Sequence, residues 1–433
     1  MEPGWLANIR NRGIPSRPGL CHPCEGHISS NGEPTMNRVR AIETIRFTPQ
    51  PNILWVRVHT DNGMVGLGET YYLPGAVEAI IHDMIADFVL DQPVFNTEHI
   101  WDTVFSWANF YGFAGAEMRA LSALDIALWD LKGQLTGQPI YNLLGGECRA
   151  DIPVYNTCVD SGQYRDQHGF MTQPEVLARS LLDEGITALK MWPWDQFAPK
   201  FRSGTHTGPA GWLSTGHSGS YLSERDLQTG LECVKRIRYS VGDRMEIMIE
   251  GHSRWDLNNA IRIGRALEPY HVLWMEDMIK PESAQDLLRL SQETRVPHSI
   301  SERLITRHAF RDVLEKGAAH VIMPDLIWTG GLTEGKKIAI MADAYHLSIA
   351  PHDCTGLVAL YANLHLCAAS MNAMILETVR GFYRGGWYAD VYTENIEIDA
   401  GRASIPRRPG LGTALRDELL ASPLVQVRTS KKG

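Results

Sequence analysis

Seven ionisable residues fall at the C-terminal ends of short apolar runs: Lys190, Glu250, Glu276, Glu302, Asp325, His352 and Glu377. From Glu250 onward the gaps are 26, 26, 23, 27 and 25 residues, each about one strand-plus-helix unit. Side chains sharing that phase converge on one face if the runs are parallel strands of a barrel. Glu250, Glu276 and Glu302 are the candidate metal ligands. Three carboxylates brought together raise one another's pKa values unless a cation offsets them. An all-oxygen set favours a hard ion, so Mg²⁺ is the expected cofactor, with Mn²⁺ as a possible substitute. Read singly, each acid is more simply a salt-bridge partner, Glu302 with Arg303 or Glu276 with Lys280; together they favour a metal site.

The elements that must position these residues are legible as alternation. From about residue 151, IPVYNT, ALKMW, EIMIE, LWMED, HSISE, HVIMPD, LSIAPH and MILETV alternate with helix-like stretches. Eight such strands in about 230 residues predict a (β/α) barrel, and no Gly-rich dinucleotide fingerprint supports the doubly wound alternative. Upstream, ILWVRVHT and MVGLGETYY flank Asp61-Asn62-Gly63, where Asn-Gly predicts a tight hairpin with positive φ at both residues. From Met118, apolar residues at three- and four-residue steps predict a helix ending near Gly133, with Asp125 and Asp130 as surface or packing acids. The expected organisation is a disordered leader over 1–35, an α+β module over 36–150, the barrel over 151–390 and a C-terminal segment over 391–433.

Composition narrows the function class. A net charge of −9 offers no basic field for a polyanion, so no nucleic-acid partner is expected. No apolar run reaches the roughly 18 residues of a membrane span and no secretory signal is visible, so a cytoplasmic protein without a membrane partner is expected. Seven scattered cysteines form no disulfide framework. Cys21 and Cys24 bracket His22, but no second ligand pair follows at zinc spacing.

The motifs GLGE (66–69), ALSALDIALWDLKGQ (120–134), LLGG (143–146), WMED (274–277), SER (301–303), PD (324–325), PH (351–352) and PGLG (409–412) together resemble the enolase superfamily, in its mandelate racemase subgroup. The resemblance runs from about Met36 to the C-terminal tail. It implies a modified (β/α)₇β TIM-type barrel with an α+β capping domain formed by the N-terminal module and the C-terminal segment. It also implies removal of the proton next to a substrate carboxylate, giving an enediolate stabilised by Mg²⁺. By resemblance His352 is the base, Asp325 its dyad partner and Glu377 a substrate-binding acid; an ion pair of Glu377 with Arg380 is the structural alternative.

Two positions depart from the usual subgroup pattern. Lys190-Met191-Trp192 replaces Lys-x-Lys, which removes the second lysine that serves as base in many racemases; Lys190 is left to polarise the substrate carboxylate. Glu250-Gly251-His252 replaces Asp-x-Asn and is similar to the arrangement in sugar-acid dehydratases, where the histidine protonates the leaving hydroxyl. His252 is therefore the candidate general acid, or else a hydrogen-bond partner behind a metal ligand. Trp192 is expected at the substrate. The long stretch from Trp194 to Ser223, with Lys200, Arg202, His206, Trp212 and His217, is expected to line the pocket with Tyr71 and Tyr72.

The expected function is thus Mg²⁺-dependent dehydration of an aldonate or aldarate to a 2-keto-3-deoxy acid. The runner-up is an epimerase, racemase or cycloisomerase of a related acid or lactone, and a non-catalytic ligand-binding relic is a third reading. The expected partner is a small-molecule carboxylate, with the chain assembled as a homo-oligomer.

Overall fold

The structure, a computed structural model, describes residues 37–198 and 219–432. Cys21, His22, Cys24 and the rest of the leader lie outside the described residues, as do Lys200, Arg202, His206, Trp212 and His217.

Three antiparallel strands open the fold: β1 (Val39–Phe47), β2 (Gln50–Thr60) and β3 (Val65–Tyr71). The turn between β2 and β3 differs from the expected hairpin. Only Gly63 takes a positive φ, at 83°, and the Thr60 N–H donates to the Met64 carbonyl at 3.0 Å, closing a wider loop. Asn62 uses its side chain instead, accepting the Thr60 hydroxyl through Oδ1.

Helix α1 (Ala116–Thr136) lies across this sheet. The glycines of GLGE let it do so: a Cβ on Gly66 or Gly68 would stand 2.1 Å from the Ala127 carbonyl oxygen or 1.9 Å from that of Ala123. The helix runs past Gly133 and ends at Gly137, which takes the left-handed φ of 65°. Gly133 is small for another reason, since its Cβ would meet the Gly410 Cα at 2.4 Å. Asp125 and Asp130 are both buried rather than on the surface. Asp125 accepts the Thr333 N–H and hydroxyl at 2.9 and 2.6 Å, while Asp130 accepts the Leu67 and Leu411 N–H groups at 2.8 and 2.7 Å. Burial raises Asp125 to about 7 and Asp130 to about 6, against the pull of those hydrogen bonds.

All eight barrel strands form where the alternation places them: β4 (Asp151–Thr157), β5 (Ala188–Met191), β6 (Glu246–Glu250), β7 (Trp274–Glu276), β8 (His298–Ile300), β9 (Val321–Ile322), β10 (Ser348–Ile349) and β11 (Leu376–Thr378). They pair in parallel in that order, β11 pairs back to β4, and an Ile349 to Ala373 bridge completes the circle. Tyr155, Ala188, Met248, Trp274, Val321, Met323 and Ala350 form an apolar cluster inside it. Strand side chains repeat every two residues, so the next inward storey reads Thr157, Lys190, Glu250, Glu276, Asp325 and His352.

The C-terminal strand Val425–Lys431 pairs antiparallel with β1. Part of the segment before it serves the barrel instead, because Arg402–Ser404 pairs antiparallel with the start of β4. The two regions are joined by hydrogen bonds at the loop that carries Asp325 and Trp328. Thr70 Oγ1 donates to the Ile327 carbonyl at 3.0 Å, Trp101 Nε1 to the Gly330 carbonyl at 2.8 Å, and the Gly330 N–H to Ser122 Oγ at 2.9 Å. No helix among the described residues is long and apolar enough to cross a membrane.

Candidate active site at the strand ends

One cavity at the C-terminal ends of the strands is lined by Tyr72, Thr157, Val159, Lys190, Trp192, Glu250, His252, Glu302, Trp328, His352, Cys354 and Glu377. Eight of the residues expected at the site therefore come together. Glu276 and Asp325 stand behind this lining as partners of Lys190 and His352, and Tyr71 is held edge-on against Tyr72, ring centroids 4.7 Å apart.

Lys190 does not project free toward a substrate carboxylate. Its ammonium is buried among acids, paired with Glu276, 2.8 Å from Glu377 Oε1 and 3.5 Å from Glu250 Oε2. Burial disfavours its charge, but Glu276 and Glu377 more than reverse this and hold Lys190 well above the usual lysine range. Burial likewise works against ionised Glu377, yet Lys190 and His352 draw it down to about 2. Glu377 also accepts from the Thr157 hydroxyl and, at 2.9 Å, from the Asp353 N–H. Arg380 is occupied elsewhere, by Asp166 and Glu184, which removes the Glu377–Arg380 alternative. The simple salt bridges are absent too among the described residues: Arg303 approaches Glu282, and Glu276 accepts from Trp274 Nε1 at 3.0 Å.

Glu250 bends back on its own strand end. Its Oε1 accepts the His252 N–H at 2.6 Å, and His252 and Ser253 take left-handed φ values of 45° and 56° to make that turn. The extra methylene relative to Asp lets one oxygen cap the chain while the other faces Lys190. Glu250 and Glu276 are register partners, and burial followed by Glu276 pushes Glu250 well above the carboxylate range. Asp277, which sequence reasoning passed over, is also buried, accepts from the Ser301 hydroxyl and is driven up by burial and then by Glu302. Glu302 is drawn down despite burial, first by His352 and then by Lys190.

Among the described residues no three His, Cys, Asp or Glu side chains stand ready as a coordination cluster. The donor set nevertheless fits a hard divalent cation. Glu250 and Glu302 open on one cavity, Glu276 is the register neighbour of Glu250, and Glu302 Oε2 is buried with no hydrogen-bond partner. In this structure Lys190 lies against Glu250 and Glu276, while His352 and then Lys190 act on Glu302.

Both histidines carry a carboxylate on Nδ1. His352 Nδ1 lies 2.8 Å from Asp325 Oδ2, and His252 Nδ1 lies 2.7 Å from Asp195 Oδ2. Each ring also meets a tryptophan, Trp328 at 5.3 Å from His352 and Trp192 at 5.5 Å from His252. Burial opposes a charged His352, but Glu377, Cys354 and Asp325 hold it well above the usual histidine range. Cys354, also missed from sequence, places Sγ 3.7 Å from His352 Nε2. Its signal was available, since it stands two residues beyond the histidine.

A closed eight-stranded barrel with a capping module and acids at its strand ends defines a class, and comparison with known proteins assigns it. Residues 35–145 match the family described as the mandelate racemase/muconate lactonizing enzyme N-terminal domain, and residues 175–419 match the enolase C-terminal domain-like family. An enolase of the mandelate racemase subgroup from Agrobacterium tumefaciens is 40% identical, with a TM-score of 0.80 covering 91% of this chain and 99% of that one. The chain belongs to the enolase superfamily, in the mandelate racemase subgroup, and is an enzyme. It is also similar to a D-galactonate dehydratase from Ralstonia nicotianae, 31% identical over 88% of this chain and 93% of that protein. A D-xylonate dehydratase from Haloferax volcanii is 29% identical over 86% of each.

Proposed function

We propose that this enzyme is a Mg²⁺-dependent lyase that removes water from a sugar acid, an aldonate or an aldarate, to give a 2-keto-3-deoxy acid. The observation that carries the reading is the pair of carboxylate-held histidines, His352 and His252, lining the cavity that Glu250 and Glu302 share. Two proton-transfer groups in one cavity suit an elimination, which needs a base at one carbon and an acid at the next. His352 takes the proton from the carbon beside the carboxylate through Nε2, because Asp325 occupies Nδ1. His252 gives a proton to the hydroxyl on the neighbouring carbon. The carbon–oxygen bond breaks, water leaves, and the resulting enol becomes the keto acid.

Glu250, Glu276 and Glu302 would hold the cation. When bound, it supplies positive charge to the substrate carboxylate and offsets the charge of these three glutamates. Trp192, Trp328 and Tyr72 shape the walls. The dehydratase names of the D-galactonate and D-xylonate relatives support the same class and favour an aldonate. Trp192, standing where a second basic lysine would serve a racemase, weighs against two-base isomerisation. The test is incubation with a sugar-acid panel and Mg²⁺, followed by semicarbazide detection of keto acid. Keto acid is the expected product; an isomer formed without keto acid would move the assignment to an epimerase or cycloisomerase. A homo-oligomer remains part of the proposal, testable by light scattering.

A further inference from the structure

Asp195 has no counterpart in the strand-end pattern. It lies four residues beyond the end of β5, in a one-turn 3₁₀ helix, Asp195–Phe197, and its side chain is only 6% exposed. Its Oδ2 accepts from His252 Nδ1 at 2.7 Å, and Arg254 Nε approaches the same oxygen at 3.4 Å. Arg254 Nη1 also donates to the Asp195 carbonyl at 3.3 Å, tying the turn to the β6 strand end. Across the cavity, Asp325 serves His352 in the same way, with an equal Nδ1 to Oδ2 arrangement and a tryptophan against the ring.

We infer that Asp195 is a positioning residue for the leaving-group half of the reaction, fixing His252 so that Nε2 addresses the hydroxyl that departs. The inference rests on the dehydratase reading and deepens it: each half of the elimination has its own histidine–aspartate dyad. The geometric reason is general. An imidazole whose Nδ1 is held by a carboxylate is fixed in ring orientation, and that sets the direction in which Nε2 points. His252 is less enclosed than His352, with its side chain 18% exposed against 8%, so it depends more on such an anchor.

The two dyads act on different bonds, so loss of one separates steps that normally occur together. Without a positioned His252, His352 still removes the proton beside the carboxylate, but the carbon–oxygen bond does not break. The intermediate then returns to substrate by taking a proton back from His352, which has exchanged with solvent. The test uses full-length wild type and Asp195→Asn with Mg²⁺ in D₂O, on a sugar-acid panel that begins with D-galactonate and D-xylonate. Keto acid is followed by semicarbazide, and recovered substrate by proton NMR at the carbon beside the carboxylate.

For Asp195→Asn we expect keto-acid formation to fall about 100-fold or more. Recovered substrate should gain deuterium at a rate within several-fold of wild-type turnover. A merely structural role lowers both rates together, and that result overturns the inference, as does undiminished dehydration. A second measurement needs no turnover: the low-field imidazole Nδ1 proton assigned by its loss in His252→Asn should move upfield in Asp195→Asn. If wild type dehydrates none of the panel, the dehydratase reading fails separately. The proton signal then decides for Asp195, and its persistence unmoved overturns the dyad.

Discussion

Replacing Lys190 with methionine tests whether one ammonium holds the acidic site together. Its Nζ is 2.8 Å from Glu377 and 3.5 Å from Glu250, with Glu276 closer still. Glu377 lies at about 2 in place of the ordinary 4.5, a displacement worth about 3 kcal/mol at 1.36 kcal/mol per unit, of which Lys190 supplies the larger part and His352 and Thr157 the rest. Breaking a buried pair by removing one partner costs about 3–5 kcal/mol, so Lys190→Met should lose stability of that order. The pH window follows from the sign. A depressed carboxylate contributes stability that is present above 4.5 and lost as pH falls toward 2. The wild-type advantage over Lys190→Met should therefore be full at pH 7 and shrink below pH 4.5. A divalent cation can replace part of the missing charge, so Mg²⁺ should raise the melting temperature of the variant more than that of wild type. Thermal denaturation with and without Mg²⁺ at pH 7 and pH 4 measures all three effects. A variant as stable as wild type in chelator at pH 7 would refute the reasoning.

His352→Asn should lower turnover about 100- to 10,000-fold in the keto-acid assay. Chelation should abolish activity, with recovery on adding Mg²⁺ or Mn²⁺; activity indifferent to chelator would count against the role given to Glu250, Glu276 and Glu302. Glu69 is buried, accepts from Trp55 Nε1 and Tyr392, and is raised to about 7 chiefly by burial. A raised carboxylate stabilises fully below 4.5 and loses that contribution as pH rises through 7, so Glu69→Gln should gain on wild type in chemical denaturation between pH 5 and pH 8. Gly68→Ala must displace the Ala123 carbonyl and should reduce soluble yield or lower stability by about 1–3 kcal/mol or more in a urea titration.

The strand-end residues were legible because a parallel barrel imposes one phase on every strand, and spacing alone reports phase. Asp195 escaped because it follows its strand by four residues, where a tight turn and a long loop look alike in sequence. Asp277 escaped for the opposite reason: beside Glu276 it reads as the neighbour facing away, yet its positive φ of 38° keeps the carboxyl in the acidic cluster. The end of α1 was misplaced because helical periodicity cannot reveal that Gly133 is small to admit the Gly410 backbone. Asp125 and Asp130 were left open between surface and packing roles for a related reason, since the N–H partners that settle packing lie 208 and 281 residues away, for Asp125–Thr333 and Asp130–Leu411. Asn62 was assigned a backbone role that its side chain fulfils instead. Lys190 was located correctly but its company was not, because three acids around one ammonium are a property of the closed circle rather than of any segment.

The two storeys inside the barrel divide inheritance between them. Met248, Trp274, Ala188 and Ala350 each sit two residues below Glu250, Glu276, Lys190 and His352. Only the Trp274 indole reaches up from that floor to a site carboxylate through a hydrogen bond among those four. Mutation above the floor can exchange one reaction for another without reopening the packing that closes the circle. A change below it alters whether the circle closes at all. Trp192 and His252 line the cavity above that floor, where an exchange of side chains is confined to the site.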